Sequence, residues 1–334
     1  LKSNPKPSRK LQSSKTQIVS NHSTTDTTAE PAMLFDINNH ALRLTFSEEL
    51  APALQRVFRN FRLHDGATQA DELEIRGDGN GKFLLRYKDA VLLEELTSET
   101  LFLHLCREIE SIFAASSIDT VLRAGAVSEG EHAVLVAGPA GCGKSALTAW
   151  LLRRGFGYLA DNCVSLASSY AEKHGRPAAI SPLPMPLTMH PHWEGAQQID
   201  PAQIIQIADQ GIIARPEVAE IGADQIADTR LAIYPCFHEG ARLDISPLSA
   251  AEFQFLLAQS HHPNQTMTVF NASRIAAFAA RVPAISVRFG SYRQLEGTLD
   301  RFIRQFLQEA PRPNLLRGCC HVNWATVACL TVWA

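Results

Sequence analysis

His132-Ala-Val-Leu-Val-Ala-Gly138-Pro-Ala-Gly-Cys-Gly-Lys144-Ser-Ala-Leu-Thr-Ala-Trp-Leu-Leu152 decides the reading of this chain. An apolar run, Ala133 to Ala137, predicts a buried strand; Ser145-Ala-Leu-Thr-Ala-Trp-Leu-Leu152 predicts a helix; and Gly138-Pro139-Ala140-Gly141-Cys142-Gly143-Lys144-Ser145, which leads from one to the other, satisfies the spacing GxxxxGK[ST]. At average composition that spacing arises by chance in roughly one sequence of this length in a hundred, and a strand before it with a helix after it makes chance a poor account. Glycines let successive backbone N–H groups converge on phosphate oxygens, and the helix N-terminus adds its partial positive charge. Gly138, Pro139, Ala140, Gly141, Cys142, Gly143, Lys144, Ser145 and Ala146 are therefore the candidate phosphate-binding residues, with Lys144 directed at the β and γ phosphates and Ser145 offering its hydroxyl to Mg2+. Neither a guanine-reading NKxD element nor a transporter-type LSGGQ string occurs, so ATP is the expected nucleotide.

Outward from the loop, Arg154-Gly-Phe-Gly-Tyr-Leu-Ala-Asp161-Asn162 reads as a turn, a short strand and a polar corner. Asp161 follows Lys144 closely, so the helix must return directly to a neighbouring strand and bring this carboxylate back toward the phosphates. Asp161 is the candidate general base and, with Ser145, the candidate metal ligand. Strands are expected at 120–127, 132–137, 158–160, 163–167, 231–237, 242–245 and 284–289, with helices over 249–281 and 291–308. Pro182-Leu-Pro-Met-Pro-Leu-Thr-Met-His190 cannot be a central strand, because its prolines lack ladder donors; it reads as a connector or an edge beside the cleft. Arg153 and Arg154 suit the C-terminal dipole of the loop helix, and Arg230, Arg242 and Arg288 flank strands from which one could steady a phosphoryl group.

GPAGCGKSAL followed by LLRRGFGYLADN resembles the catalytic domain of the HPr kinase/phosphorylase family and its bacterial HPr-kinase-like relatives, sharply over 134–166 and diffusely to about 306. The resemblance implies an α/β, P-loop domain of the HPr-kinase or phosphoenolpyruvate-carboxykinase-like type, ATP with Mg2+ as cofactors, and phosphoryl transfer to a serine hydroxyl. It also implies that the first Asp of an Asp-Asp pair takes the hydroxyl proton. Here Asp161 is present and Asn162 stands second; an amide holds a hydroxyl by hydrogen bonds but accepts no proton, which leaves reverse phosphorylase chemistry open. Arg123 occupies the position nearest to the family's histidine on the preceding strand, and no downstream signature for HPr is found. The expected acceptor is a serine-bearing protein, peptide or small molecule other than HPr, and a homo-oligomer fits the family. The alternative is a regulatory module that holds ATP without transferring its phosphate.

The remaining text sets the frame. Residues 1–32 are basic, rich in Ser and Thr and without apolar periodicity, which predicts disorder; they faintly resemble a transit peptide, and sequence upstream of Met33 is the blander account. A smaller α+β N-terminal domain is expected over 33–116: a strand at 41–46, a helical stretch from Ser47, a meander at 72–76, 83–87 and 90–93, and a helix capped by Ser98. The kinase-like domain takes 117–310, and the segment 311–334, with Cys319-Cys320-His321, matches no recognisable element. With 334 residues, a net charge of -3 and 46% hydrophobic residues, the chain reads as a soluble globular protein with no general basic field for nucleic acid. Seven cysteines without CxxC pairing suit a reducing cytoplasm, and the histidines, His190, His192, His261 and His262 among them, lack metal-ligand spacing. No apolar run approaches the roughly 20 residues of a membrane span.

Overall fold

The computed structural model describes residues 31–37, 40–58, 61, 70–167, 173–176, 178–189, 204–207, 210–213 and 226–309. The expectations for 1–30, for 311–334 and for His190 and His192 lie outside the described residues. The fold is mixed α/β, built on sheets of five, nine and three strands.

The first sheet runs in order β1 (Ala32–Ile37), β2 (His40–Thr45), β3 (Asp71–Gly77), β4 (Lys82–Tyr87) and β5 (Ala90–Thr97). All neighbours are antiparallel except β2 and β3. Ala32 already lies in β1, so the expected disordered stretch ends too late in the sequence. One face of this sheet packs on α1 (Ala51–Val57) and α2 (Ser98–Ser116) through Leu44, Leu54, Leu73, Leu85, Leu105 and Ile109. The helix cap falls one residue before the expected Ser98: the Thr97 hydroxyl accepts from the Thr100 N–H and the Thr100 side chain answers the Thr97 N–H. The apolar core of this region also takes in Val121, Cys163, Leu183 and Met185, all beyond residue 116.

In the nine-stranded sheet, β6 (Thr120–Leu122), β10 (Val164–Leu166), β11 (Ala179–Pro182), β15 (Ala227–Phe237), β8 (His132–Ala137), β7 (Ala124–Glu129) and β9 (Gly157–Ala160) are neighbours in that order. β17 (Ala284–Phe289) adds to β15, and β16 (Asp244–Leu248) adds to β17. β8, β15 and β17 are parallel, so their carboxyl ends at Ala137, Phe237 and Phe289 open on one edge. A third sheet orders β12 (Leu187–Met189), β14 (Gln210–Ile213) and β13 (Ile204–Ile207).

The continuous apolar run in β8 is explained by burial on both faces. Ala133, Leu135 and Ala137 join the core with Phe253, Leu257, Ile275 and Phe278 of α4 (Ala250–Gln259) and α5 (Val269–Ala279). Val134 and Val136 join Leu147, Trp150 and Leu151 of α3 (Lys144–Arg153) and Phe302, Ile303 and Leu307 of α6 (Leu299–Glu309). Helices thus cover both faces of the strand that leads into the loop.

Several expected boundaries are corrected. The strand expected over 120–127 breaks at Arg123 into β6 and β7, which lie in different parts of the sheet, because the Arg123 N–H donates to the Ser260 carbonyl instead of a neighbouring strand. The helix expected over 249–281 is two helices: α4 ends at Gln259 with Ser260 as its C-cap, and Thr268 with Asn271 forms a fresh capping box for α5. The stretch 291–308 opens as a 3-10 turn (Tyr292–Leu295) before α6. β11 ends on Pro182 inside the sheet, against the expectation for the proline-rich segment. Its pairing with β15 stops at Ile180, so no ladder donor is needed from the proline on that side. Among the described residues no helix is long and apolar enough to cross a membrane.

Candidate functional site

β8 delivers the chain to the loop at Gly138, whose N–H donates to the Ser260 hydroxyl at 3.0 Å. The same residue receives Arg123 N–H at its carbonyl, so the end of α4 pins both the loop and the break between β6 and β7. Gly143 is the N-cap of α3 with φ 98°, a left-handed conformation that glycine adopts without a Cβ penalty. Lys144 is buried and donates to the Pro139 carbonyl at 2.9 Å, closing the loop on itself; burial pulls its pKa below the usual value, against the attraction of Cys142 and Asp161.

Asp161 follows β9, which pairs with β7, itself paired with β8. The return to a near-neighbour strand brings the carboxylate under the loop, and it is almost fully buried. Desolvation raises its pKa to about 6, while the Ser145 hydroxyl, the Lys144 charge and the backbone N–H groups of Thr188 and Asn162 hold it down. Lys144, Ser145 and Asp161 are therefore brought together, and the proline-rich segment passes beside them through Thr188. Oδ1 of Asp161 has no hydrogen-bond partner, nor has the buried Thr148 hydroxyl one turn along α3 from Ser145. Both lie over Gly125 of β7: a Cβ built there would sit 2.3 Å from Thr148 Oγ1 and 3.4 Å from Asp161 Oδ1. An anionic oxygen left open beside a hydroxyl is a hard-oxygen donor set that fits Mg2+.

Sequence reasoning passed over Glu110. From α2 it reaches Asn162, whose amide donates to Glu110 Oε2 at 2.6 Å, and burial lifts the Glu110 carboxyl to about 8, eased by that hydrogen bond. Asn162 has φ 71°, a left-handed conformation that Asn tolerates better than most residues, and the amide contact holds it there. A signal was present: Glu110 extends the row Phe102, Cys106 along α2, whose other members are buried. Ser260, 122 residues from the Gly138 that it binds, offered none.

The arginines divide. Arg154 caps α3, pairs with Asp300 at 3.5 Å and lies over the Trp150 ring. Arg230 pairs with Asp228 at the amino end of β15, opposite to the loop edge. Arg288 pairs with Asp244 at 3.2 Å and is exposed, as is Arg242. His261 meets Gln265, and burial lowers the His262 pKa to about 4. Among the described residues no cluster of His, Cys, Asp and Glu could hold a metal by itself.

No family model matches the chain. No curated protein matches it either. Among solved structures the chain is similar to the HPr(Ser) kinase/phosphatase from Coxiella burnetii, at 15% sequence identity and a TM-score of 0.25, over 56% of this chain and 93% of that one. A likeness of that size is too distant to assign chemistry to any residue here.

Proposed function

We propose that the chain is an ATP-dependent phosphotransferase that uses the loop 138–145 as a P-loop and transfers the γ-phosphoryl group to a serine hydroxyl of a protein, peptide or small molecule. One observation carries this reading: a buried carboxylate with a free oxygen, Asp161 Oδ1, lies beside the hydroxyl and ammonium that open a glycine-capped helix. The α/β architecture and the likeness of GPAGCGKSAL to the HPr-kinase family agree with it.

In this reading the loop N–H groups and Lys144 bind the β and γ phosphates, and Lys144 exchanges its bond to the Pro139 carbonyl for phosphate oxygen. Ser145 and Asp161 would hold Mg2+, which supplies charge neutralisation when bound. The acceptor oxygen attacks the γ phosphorus, its proton passes to Asp161, the bond from phosphorus to the bridging oxygen breaks, and ADP leaves with that electron pair. With a pKa of about 6, Asp161 is ionised at neutral pH and close enough to it to accept a proton in the transition state. Most of the rate would come from positioning and charge neutralisation. The setting we propose is cytoplasmic, as a homo-oligomer.

A second reading, an ATP-holding regulatory module, is favoured by Asn162: its amide is committed to Glu110, which leaves one carboxylate at the loop. Incubation with γ-labelled ATP and fractionated lysate or free serine separates the two. A labelled acceptor supports transfer, and bound intact ATP supports the module.

A further inference from the structure

Phe237 is the residue that the fold leaves unexplained at the loop edge. It is large, apolar and 45% exposed, yet it ends a strand whose other apolar residues are nearly all buried. Its ring is held: Tyr292 stacks on it with centroids 6.2 Å apart and planes 13° apart, and Phe289 meets it edge-on at 5.5 Å. Phe289 and Tyr292 also meet edge-on at 5.1 Å, so the three rings form one braced cluster. Phe289 is fully buried and Tyr292 nearly so, which makes Phe237 the open face of the cluster.

The position gives that face a use. β15 and β17 carry Phe237 and Phe289 to the same carboxyl edge where β8 releases the loop. A Cβ built on Gly143 would stand 3.9 Å from Phe237 Cβ and 3.8 Å from the Tyr292 hydroxyl, so the loop and the ring cluster are one van der Waals layer apart, with no side chain between them. Resting on the phosphate-loop reading above, we propose that Phe237, braced by Tyr292 and Phe289, is the stacking platform for the base of the bound nucleotide, so that the site takes a nucleoside triphosphate in preference to inorganic polyphosphate. Nucleobases stack on any exposed π face, and an aromatic already fixed by its neighbours forfeits little rotamer freedom in doing so.

Titration calorimetry of the whole chain with MgATP and with magnesium tripolyphosphate tests this. A stacked base contributes an affinity ratio of about 5- to 150-fold in favour of MgATP. Phe237→Ala should erase that ratio and leave tripolyphosphate affinity unchanged, and Phe237→Tyr should keep it. Phe237→Leu, which retains the apolar contact with Tyr292, gives the same reading should the alanine variant unfold. The platform is overturned if Phe237→Leu or Phe237→Ala binds MgATP as tightly as wild type, or if wild type binds both ligands equally; the phosphate loop survives either result. Failure of wild type to bind either ligand removes both.

Discussion

The two ends of β8 and β15 belong to the same pair of parallel strands and have opposite characters. At the amino end the charges are matched: Arg230 lies on Asp228, and Arg304 lies on Glu129. At the carboxyl end polar groups are buried and left open: Asp161 Oδ1 and Thr148 Oγ1 lack partners, Lys144 is buried on a carbonyl, and an aromatic ring faces solvent. Unsatisfied buried groups are costly, and a fold keeps few of them without a reason. Buried atoms without a hydrogen-bond partner occur at both ends, Asp228 Oδ1, Thr229 Oγ1 and Arg304 Nε among them at the amino end, but there the charged groups lie in side-chain ion pairs, whereas at the carboxyl end the open Asp161 oxygen lies beside the loop glycines and an exposed aromatic ring. That difference is why the proposed ligand site is placed at the carboxyl end.

The sharpest way to break this contrast is Asp161→Asn. The amide keeps size and hydrogen bonds and its oxygen can still face Mg2+, but it accepts no proton, so phosphoryl transfer should fall by about 10² to 10⁴ and MgATP affinity by a far smaller factor. A loss of MgATP binding as large as the loss of transfer would leave the carboxylate a metal ligand and not a base, and unchanged transfer removes Asp161 from the mechanism.

Lys144→Ala comes next. Truncating one member of a buried charge pair costs roughly 2–5 kcal/mol, so MgATP should bind about 30- to 5000-fold more weakly with the apo melting temperature kept. Equal affinity in calorimetry would falsify the phosphate-loop assignment.

These residues were legible because the proposed phosphate loop is a local device: strand, glycines, lysine, hydroxyl and helix lie in one continuous stretch, and Asp161 returns by one short strand. What was hidden depends on contacts between distant segments. Arg123 reads as mid-strand until the end of α4 takes its N–H, and the buried row of α2 that includes Glu110 does not say that its partner is Asn162. The break between α4 and α5 could have been found, since Pro263 follows the first helix and Thr268 to Asn271 has capping spacing. The apolar periodicity on both sides masked it.

Glu110 sharpens the comparison through pH. Its pKa in the fold is about 8 against an ordinary 4.5, so the folded state binds its proton more tightly. Stability from this group is complete below about pH 4.5, declines as pH rises toward 8, and is flat above, a loss on the order of a few kcal/mol. Asp161 acts in the same direction between 3.8 and about 6. Glu110→Gln can still accept the Asn162 amide and has no proton to lose. It should gain on wild type between pH 5 and pH 8 in urea unfolding. A difference that stays constant over that range means the carboxyl is solvated.

Gly125→Ala probes the space rather than the charge. Its Cβ would stand 2.3 Å from Thr148 Oγ1, which only movement of α3 or of the threonine can relieve. Overpacking of this kind costs about 1–3 kcal/mol. Adding Thr148→Ala should recover most of that in a double-mutant cycle, because the two residues touch. No recovery places the strain elsewhere.

Arg288→Ala should have the smallest effect and tests whether the edge is as divided as it looks. Arg288 lies opposite Cys236 near the carboxyl end of β17, close to the aromatic cluster, and its partner Asp244 is 48% exposed, so water competes for both charges. Exposed pairs contribute about 0–1 kcal/mol, and stability should move within that range. Nucleotide affinity should not change, since the guanidinium is turned toward Asp244 and Lys144 already provides the buried cation. A tenfold loss of MgATP affinity with unchanged stability would mean that Arg288 leaves Asp244 for the phosphates when nucleotide binds. The loop edge would then recruit a charge that the free protein stores in a surface pair, and the boundary between scaffold and site would run through β17 rather than beside it.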